Sequence, residues 1–286
     1  MKTRKKGLLS PDFFIPNVGL LLLAVVLVEG MYAVWLRPRA EELLLERKAY
    51  LSQGSAGSGK LQERHLALII KDREPEVEVI FCVWGLFFLA YKFVQTRREQ
   101  RLLDEDFIRV QPGERILPED ALDRYKELKE QVERNPRWSQ RILPECILAA
   151  LHRFHATSSI QDAAMAVKER AELRADQLDS SLSLVRYIAW AIPAIGFVGT
   201  VRGIGDGLNH AEEAIKGDIS QVTSQLGLAF NSTFVGLMLC LVLMYFIHIV
   251  QSGQEELVMD TQAYCRDRLV DVMKVPTKDE SAGILS

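Results

Sequence analysis

Hydrophobic and polar positions are gathered into blocks along this chain instead of alternating. Four windows, 17–36, 77–95, 186–208 and 225–250, are almost wholly apolar. Each reaches the roughly 20 residues that a helix needs to cross a hydrocarbon layer about 30 Å thick. The pattern predicts an all-α integral membrane protein with four transmembrane helices. The stretch 96–185 reads as a helical domain: "PEDALDRYKELKEQVERN" opens with Pro118 and acids, and "LPECILAALHRF" follows Pro136 and carries Pro144 at its start, both marks of helix N-termini. From Ser159 neither proline nor glycine interrupts the run into the third window, which predicts one long helix. The fourth window continues as "QSGQEELVMDTQAYCRDRLVDVM" with helical apolar spacing, weakened only by Gly253. The third and fourth helices are therefore expected to project together into the cytoplasm.

Orientation follows from the connection 209–224, "NHAEEAIKGDISQVTS", whose only Lys or Arg is Lys216. Such a loop faces the outside. This puts 96–185 and the tail 251–286 in the cytoplasm, in agreement with Arg97, Arg98 and Arg101 just after the second window. The basic N-terminus 1–16 is then cytoplasmic too, so both termini lie inside, and 37–76 becomes an extracytoplasmic loop whose many basic residues are matched by acids. No small-x-small cleavage site follows the first window, which predicts an uncleaved span. "SQGSAGSGK" has the composition of a flexible linker, and "PTKDESAGILS" that of a disordered end.

A net charge of −3 without a sustained basic face argues against nucleic-acid binding. Cys82, Cys146, Cys240 and Cys265 show no paired spacing, so neither a disulfide nor a zinc site is expected. His152 and His155 could share a helix face, but without further ligands they make no metal site. The string "GSAGSGK" nearly fits a phosphate loop, yet Leu61 replaces the Ser or Thr that would hold magnesium and no strand precedes it. The Asn231, Ser232, Thr233 sequon lies inside a span, out of reach of glycosylation. No cofactor, metal or catalytic residue is expected, and the chain reads as a non-enzyme whose immediate surroundings are membrane lipids.

Candidate chemistry sits in the last two windows. "AIPAIGFVGTVRGIGDGL" carries Pro193 and Gly196, then Gly199, Gly203 and Gly207 at intervals of four, which brings the ladder to one helix face where another backbone can approach. That face is a packing seam, a polar path, or both. Thr200 stands beside it, and its hydroxyl either bonds its own backbone one turn back or lines the path. In the fourth window Asn231, Ser232 and Thr233 form a polar cluster, with Gly236 one turn on. At about 1.5 Å per residue, Thr200 and Thr233 fall at similar depth on antiparallel helices. Glu29, in the outer half of the first window, has either a structural, snorkelling role or a functional one. Arg202 and Asp206, four apart, are expected to pair with each other, with a role at the outer mouth as the alternative.

These residues carry a resemblance. "PAIGFVGTVRGI" resembles the pore-helix signature of the MotA/TolQ/ExbB family, and "LAFNSTFVGL" resembles its partner helix. The order of span, helical segment, two spans and helical tail is similar from the second window to the end of the chain. The resemblance implies a homopentamer in a bacterial inner membrane, ringed around two copies of a MotB/TolR/ExbD-like single-span partner. It also implies that ions, protons by family default, pass by way of the partner's essential aspartate. Thr200 and Thr233 match the family's pore threonines, and Asn231 and Ser232 adjoin the same path. Pro193, Gly196, Gly199, Gly203 and Gly236 would build the pore wall. Leu228 stands where TolQ and ExbB carry a glutamate, as in the MotA branch, while the long loop after the first window departs from MotA. The implied function is an ion-conducting motor subunit, against the alternative of a non-conducting scaffold that oligomerises and recruits cytoplasmic partners.

Overall fold

The computed structural model describes residues 11–52, 70, 72–108, 114–135, 138, 141–217 and 219–275. Among them every regular element is helical, and the one extended pairing is an isolated bridge between Ile116 and Met273. Two compact units form, one from residues 1–91 and 183–248 and one from residues 92–182 and 249–286.

The first unit begins with α1 (Pro11–Met31), which passes through a π-helical turn at Tyr32–Leu36 into α2 (Arg37–Ser52). The expected loop after residue 36 is thus helical as far as Ser52. Ala, Glu, Leu, Arg and Lys fill "RAEELLLERKA", and all are strong helix formers that need no membrane to continue a helix. Pro38 does not stop it. A proline has no N–H and crowds the carbonyl of the preceding turn, and the widened turn just before it, where Arg37 N–H bonds back to Tyr32 O, makes room. The linker read in "SQGSAGSGK" beyond Ser52, and the disordered end, lie outside the described residues.

The chain resumes with α3 (Arg73–Gln100), and α7 (Ser183–Asn209), the short α8 (Ala211–Ile215) and α9 (Ser220–Arg268) follow the second unit's helices in sequence. Four helices are long and apolar enough to cross a membrane, so the chain is a multi-pass membrane protein. Their outward faces stay greasy, with Trp190, Phe197, Val201, Phe234 and Leu241 exposed, as a lipid-facing surface requires. Inward, small residues set the spacing: a Cβ on Gly85 of α3 would meet Leu243 of α9 at 3.0 Å and Ile188 of α7 at 3.5 Å.

In the second unit, α4 (Pro118–Arg134), α5 (Ile142–Thr157) and α6 (Ile160–Ser181) pack with the last turns of α9. Phe154, Ile147, Ala163, Leu257 and Leu269 are fully or almost fully buried in this core. Ser158 ends α5 in the left-handed region (φ 51°), and the next residue starts α6 by accepting a hydrogen bond on Ser159 Oγ from Asp162 N at 3.2 Å. Around the core, Arg141 Nη1 donates to Glu99 Oε1 at 2.9 Å, and Tyr264 Oη donates to Glu105 O at 3.1 Å. His155 bonds Pro118 O at 3.0 Å and His152 lies against the Tyr125 ring, so both histidines have structural partners.

The single helix expected from Ser159 onward is interrupted at Leu182, between α6 and α7. The local sequence is Asp179, Ser180, Ser181, Leu182, Ser183, a run whose short polar side chains compete for backbone groups. Ser181 Oγ donates to Leu178 O at 2.7 Å, and Leu182 N–H closes tighter bonds to Asp179 and Ser180. Gly253, by contrast, leaves α9 unbroken over 49 residues.

Candidate functional site

The glycine ladder of α7 is a seam against α9. Gly196, Gly199, Gly203 and Gly207 are its buried glycines. A Cβ on Gly196 would lie 3.0 Å from Thr233 Cα and 3.1 Å from Ser232 O, and one on Gly203 would lie 2.8 Å from Ala229 Cβ. Gly199 faces Ser232 directly. Such approach leaves room for backbone and hydroxyl alone, as small-residue faces do between membrane helices. Pro193 sits inside α7, half-buried, without breaking the helix.

The seam brings the two threonines together. Thr200 Oγ1 lies 2.9 Å from Ala229 O and 3.3 Å from Gly196 O, Thr233 Oγ1 lies 3.0 Å from Gly196 O, and the two hydroxyls are hydrogen-bonded to each other. Thr200 thus bonds its own backbone one turn back, as the first of its two readings expects, and its neighbour's backbone as well. Two hydroxyl protons serve four contacts, so more than one proton arrangement satisfies the pair. Asn231 is half-buried and takes no part in these bonds, whereas Ser232 is buried and turns the other way, toward α3.

What Ser232 meets is a residue the sequence reading passed over. Glu78 of α3 is 0% exposed, and its Oε1 lies 3.5 Å from Ser232 Oγ. The carboxyl fits between two glycines: a Cβ on Gly196 would lie 2.9 Å from Oε1, and one on Gly236 3.2 Å from it. Gly236 is thus a cradle for an acid as well as a packing residue. The available signal was Glu78 itself, inside the second apolar window at the end of the alternating acids Glu74, Glu76 and Glu78.

The other two acids of that run account for the arginines. Arg202 pairs with Glu74 through both ends of its guanidinium, Nη2 donating to Oε2 at 3.0 Å and Nη1 to Oε1, while Asp206 stays 4.0 Å from Nε. The expected Arg202–Asp206 pair is therefore secondary. Glu74, 15% exposed against 50% for Asp206, offers a two-pronged contact in a drier place, and an arginine preceding its acid on a helix is the weaker order. Arg37 donates to both oxygens of Glu76 at 3.1 and 3.3 Å and lies 3.7 Å from Glu29. Glu29 accordingly has a structural partner.

The membrane-crossing unit thus holds two groups of oxygens at its centre, a buried acid with a serine and a coupled pair of threonines. Residues 139–263 match the family model described as the MotA/TolQ/ExbB proton channel family. Over this segment the chain is similar to that family. The match runs from just before α5 into the last turns of α9, so Thr200, Ser232, Thr233 and the whole glycine ladder belong to the matched segment, while Glu74, Glu76 and Glu78 lie outside it. No curated protein and no solved structure matches the chain.

Proposed function

We propose that this chain is the ion-conducting wall subunit, not itself an enzyme, of a pentameric motor in a bacterial inner membrane. Five copies surround two single-span, aspartate-bearing partners of the MotB/TolR/ExbD kind, and the ion, a proton, crosses between partner and wall with both chain termini on the cytoplasmic side. The observation that carries the reading is the Thr200–Thr233 hydroxyl pair in a glycine-lined seam of the matched domain. Hydroxyls between membrane helices either hold the helices together or line a polar path, and the place of this pair in the matched segment favours the path. The exposed apolar flanks of the same helices, among them Phe197, Val201 and Phe234, are surfaces that neighbouring copies, the partner helix or lipid would cover.

The test is ion flux in vesicles holding the full chain co-expressed with a single-span, aspartate-bearing protein encoded beside it, with subunits counted by native mass spectrometry. Gradient-driven proton flux from a complex of five subunits and two partners, lost in Thr233→Val with assembly intact, supports the motor. A stable assembly that passes no ion in its native form rejects conduction and leaves a scaffold.

A further inference from the structure

We propose that Glu78 is an exchangeable proton site inside the span, with Ser232 as its contact on α9; this rests on the conducting role proposed above. Four observations converge on it. The side chain is fully buried. Among the described residues its Oε2 has no hydrogen-bond partner, and its Oε1 has only the long contact to Ser232. Among the described residues no basic group is paired with it, because Arg202 is engaged by Glu74 and Arg37 by Glu76 and Glu29. Finally, Gly196 and Gly236 on two other helices leave just the space its carboxyl fills.

A structural acid in hydrocarbon would be expected to have a partner for each oxygen, since an unpaired buried carboxyl is costly. The vacant oxygen is what a proton carrier needs. Uptake turns a hydronium ion and the carboxylate into water and a neutral carboxylic acid, and release reverses it. The neutral acid has one O–H to give and the serine hydroxyl can accept and donate, so Ser232 is the group through which Glu78 touches the matched segment. The entry side is laid out on α3, where Glu74 precedes Glu78 by one helical turn, about 6 Å along the axis. The titratable groups that interact with Glu78 are Glu74 on its own helix and Tyr32 on the first-span helix, while α9 presents the uncharged Ser232. Because Glu78 comes from outside the matched segment, the acid is an addition to the domain from α3.

Infrared spectroscopy of the full chain in lipid vesicles reads the site without relying on flux. The carbonyl stretch of a protonated carboxylic acid should be present, shift in D2O, persist in Glu74→Gln and vanish in Glu78→Gln. Absence of the band over about pH 5 to 9, a range wide enough for most shifted carboxyls, overturns the proposal, as does a band that never shifts in D2O. In the co-expressed complex, Glu78→Gln should lower proton flux by about tenfold or more with the subunit count unchanged, and Glu78→Asp should restore part of it. If Glu78→Gln conducts like the native chain while Thr233→Val blocks, Glu78 is off the path and the channel stands. If the native complex does not conduct yet the exchanging band is there, the channel reading falls and the proton site remains.

Discussion

Gly203 and Gly205 sit two residues apart on α7 and make opposite predictions for the same change to alanine. A Cβ on Gly205 meets nothing within 4 Å, whereas one on Gly203 lies 2.8 Å from Ala229 Cβ, 3.1 Å from Gln225 O and 3.2 Å from Ala229 Cα. Carbon atoms rest at about 3.5–4.0 Å, so Gly203→Ala must push α7 and α9 apart by roughly 1 Å. No rotamer change helps, because both clashing atoms are Cβ. Overpacking of this kind costs about 1–3 kcal/mol. The separation also stretches the contact of Thr200 Oγ1 to Ala229 O, now 2.9 Å, a hydrogen bond worth about 0.6 kcal/mol on average between membrane helices. Gly205→Ala gains helix propensity, up to about 1 kcal/mol. The two variants have identical composition and the same gain in helix propensity, so their stabilities should differ by the overpacking and the stretched bond alone, roughly 1.5–3.5 kcal/mol. Titration of the full chain in mixed micelles with denaturing detergent measures the gap. Adding Ala229→Gly to Gly203→Ala removes the nearest atom and should recover part of the loss, with a coupling of about 0.5–3 kcal/mol. If Gly203→Ala is as stable as Gly205→Ala, the seam is looser than its geometry states and the argument for close approach is wrong.

Three further outcomes follow from contacts described above. In double-mutant cycles read by the same titration, Arg202 should couple to Glu74 more strongly than to Asp206, and equal couplings would restore the helical pair as dominant. Ser159→Ala removes the cap of α6 and should destabilise by about 1 kcal/mol, with hydrogen exchange rising first at the N–H of Asp162, and unchanged exchange there would deny the cap. Burial, with a smaller push from Glu145, drives the Cys146 thiol up to about 12. Since thiolate is the reactive form, Cys146 in the folded chain should resist alkylation at pH near 9 and react once denatured. A thiol raised in the folded state favours folding fully below its unfolded value and loses that contribution as pH climbs past about 8.5 toward 12. Prompt native labelling of Cys146 near neutral pH would refute the burial argument.

The four apolar windows, the glycine ladder and the two threonines were legible because each is a local or periodic pattern: a length of apolar chain, a repeat of four, a hydroxyl in a greasy run. Glu78 was not, although it lies in plain sight two residues after Glu76. An acid at the edge of a span reads as one that reaches for the headgroups, and only Gly196 and Gly236, more than a hundred residues away, decide that it is enclosed. The partner of Arg202 was missed for the same reason. Sequence offered Asp206 at four residues, and folding supplied Glu74 at 128. The extension of the first helix through Arg37–Ser52 was obscured by Pro38, which is a stop signal unless the turn before it widens. The interruption at Leu182 was legible in principle from its cluster of serines, but no proline or glycine announced it.

The widened turn at Tyr32–Leu36 also leaves a mark on how this gene can change. Ala24, Val28, Tyr32, Leu36 and Ala40 are all buried, one every four residues. On an unbroken α-helix such a row drifts by about 40° at each step and winds away from its neighbour. The wide turn absorbs an extra residue and turns the row back. Loss of one codon there, that of the exposed Ala33 for instance, would let an ordinary α-helix form in which the same buried side chains follow one another at four, four, three and four, still a single stripe. Elsewhere in the helix, dropping one residue would swing everything beyond it by about 100°. A one-residue deletion that would wreck a membrane span at most positions is, at this one, a silent edit of pitch.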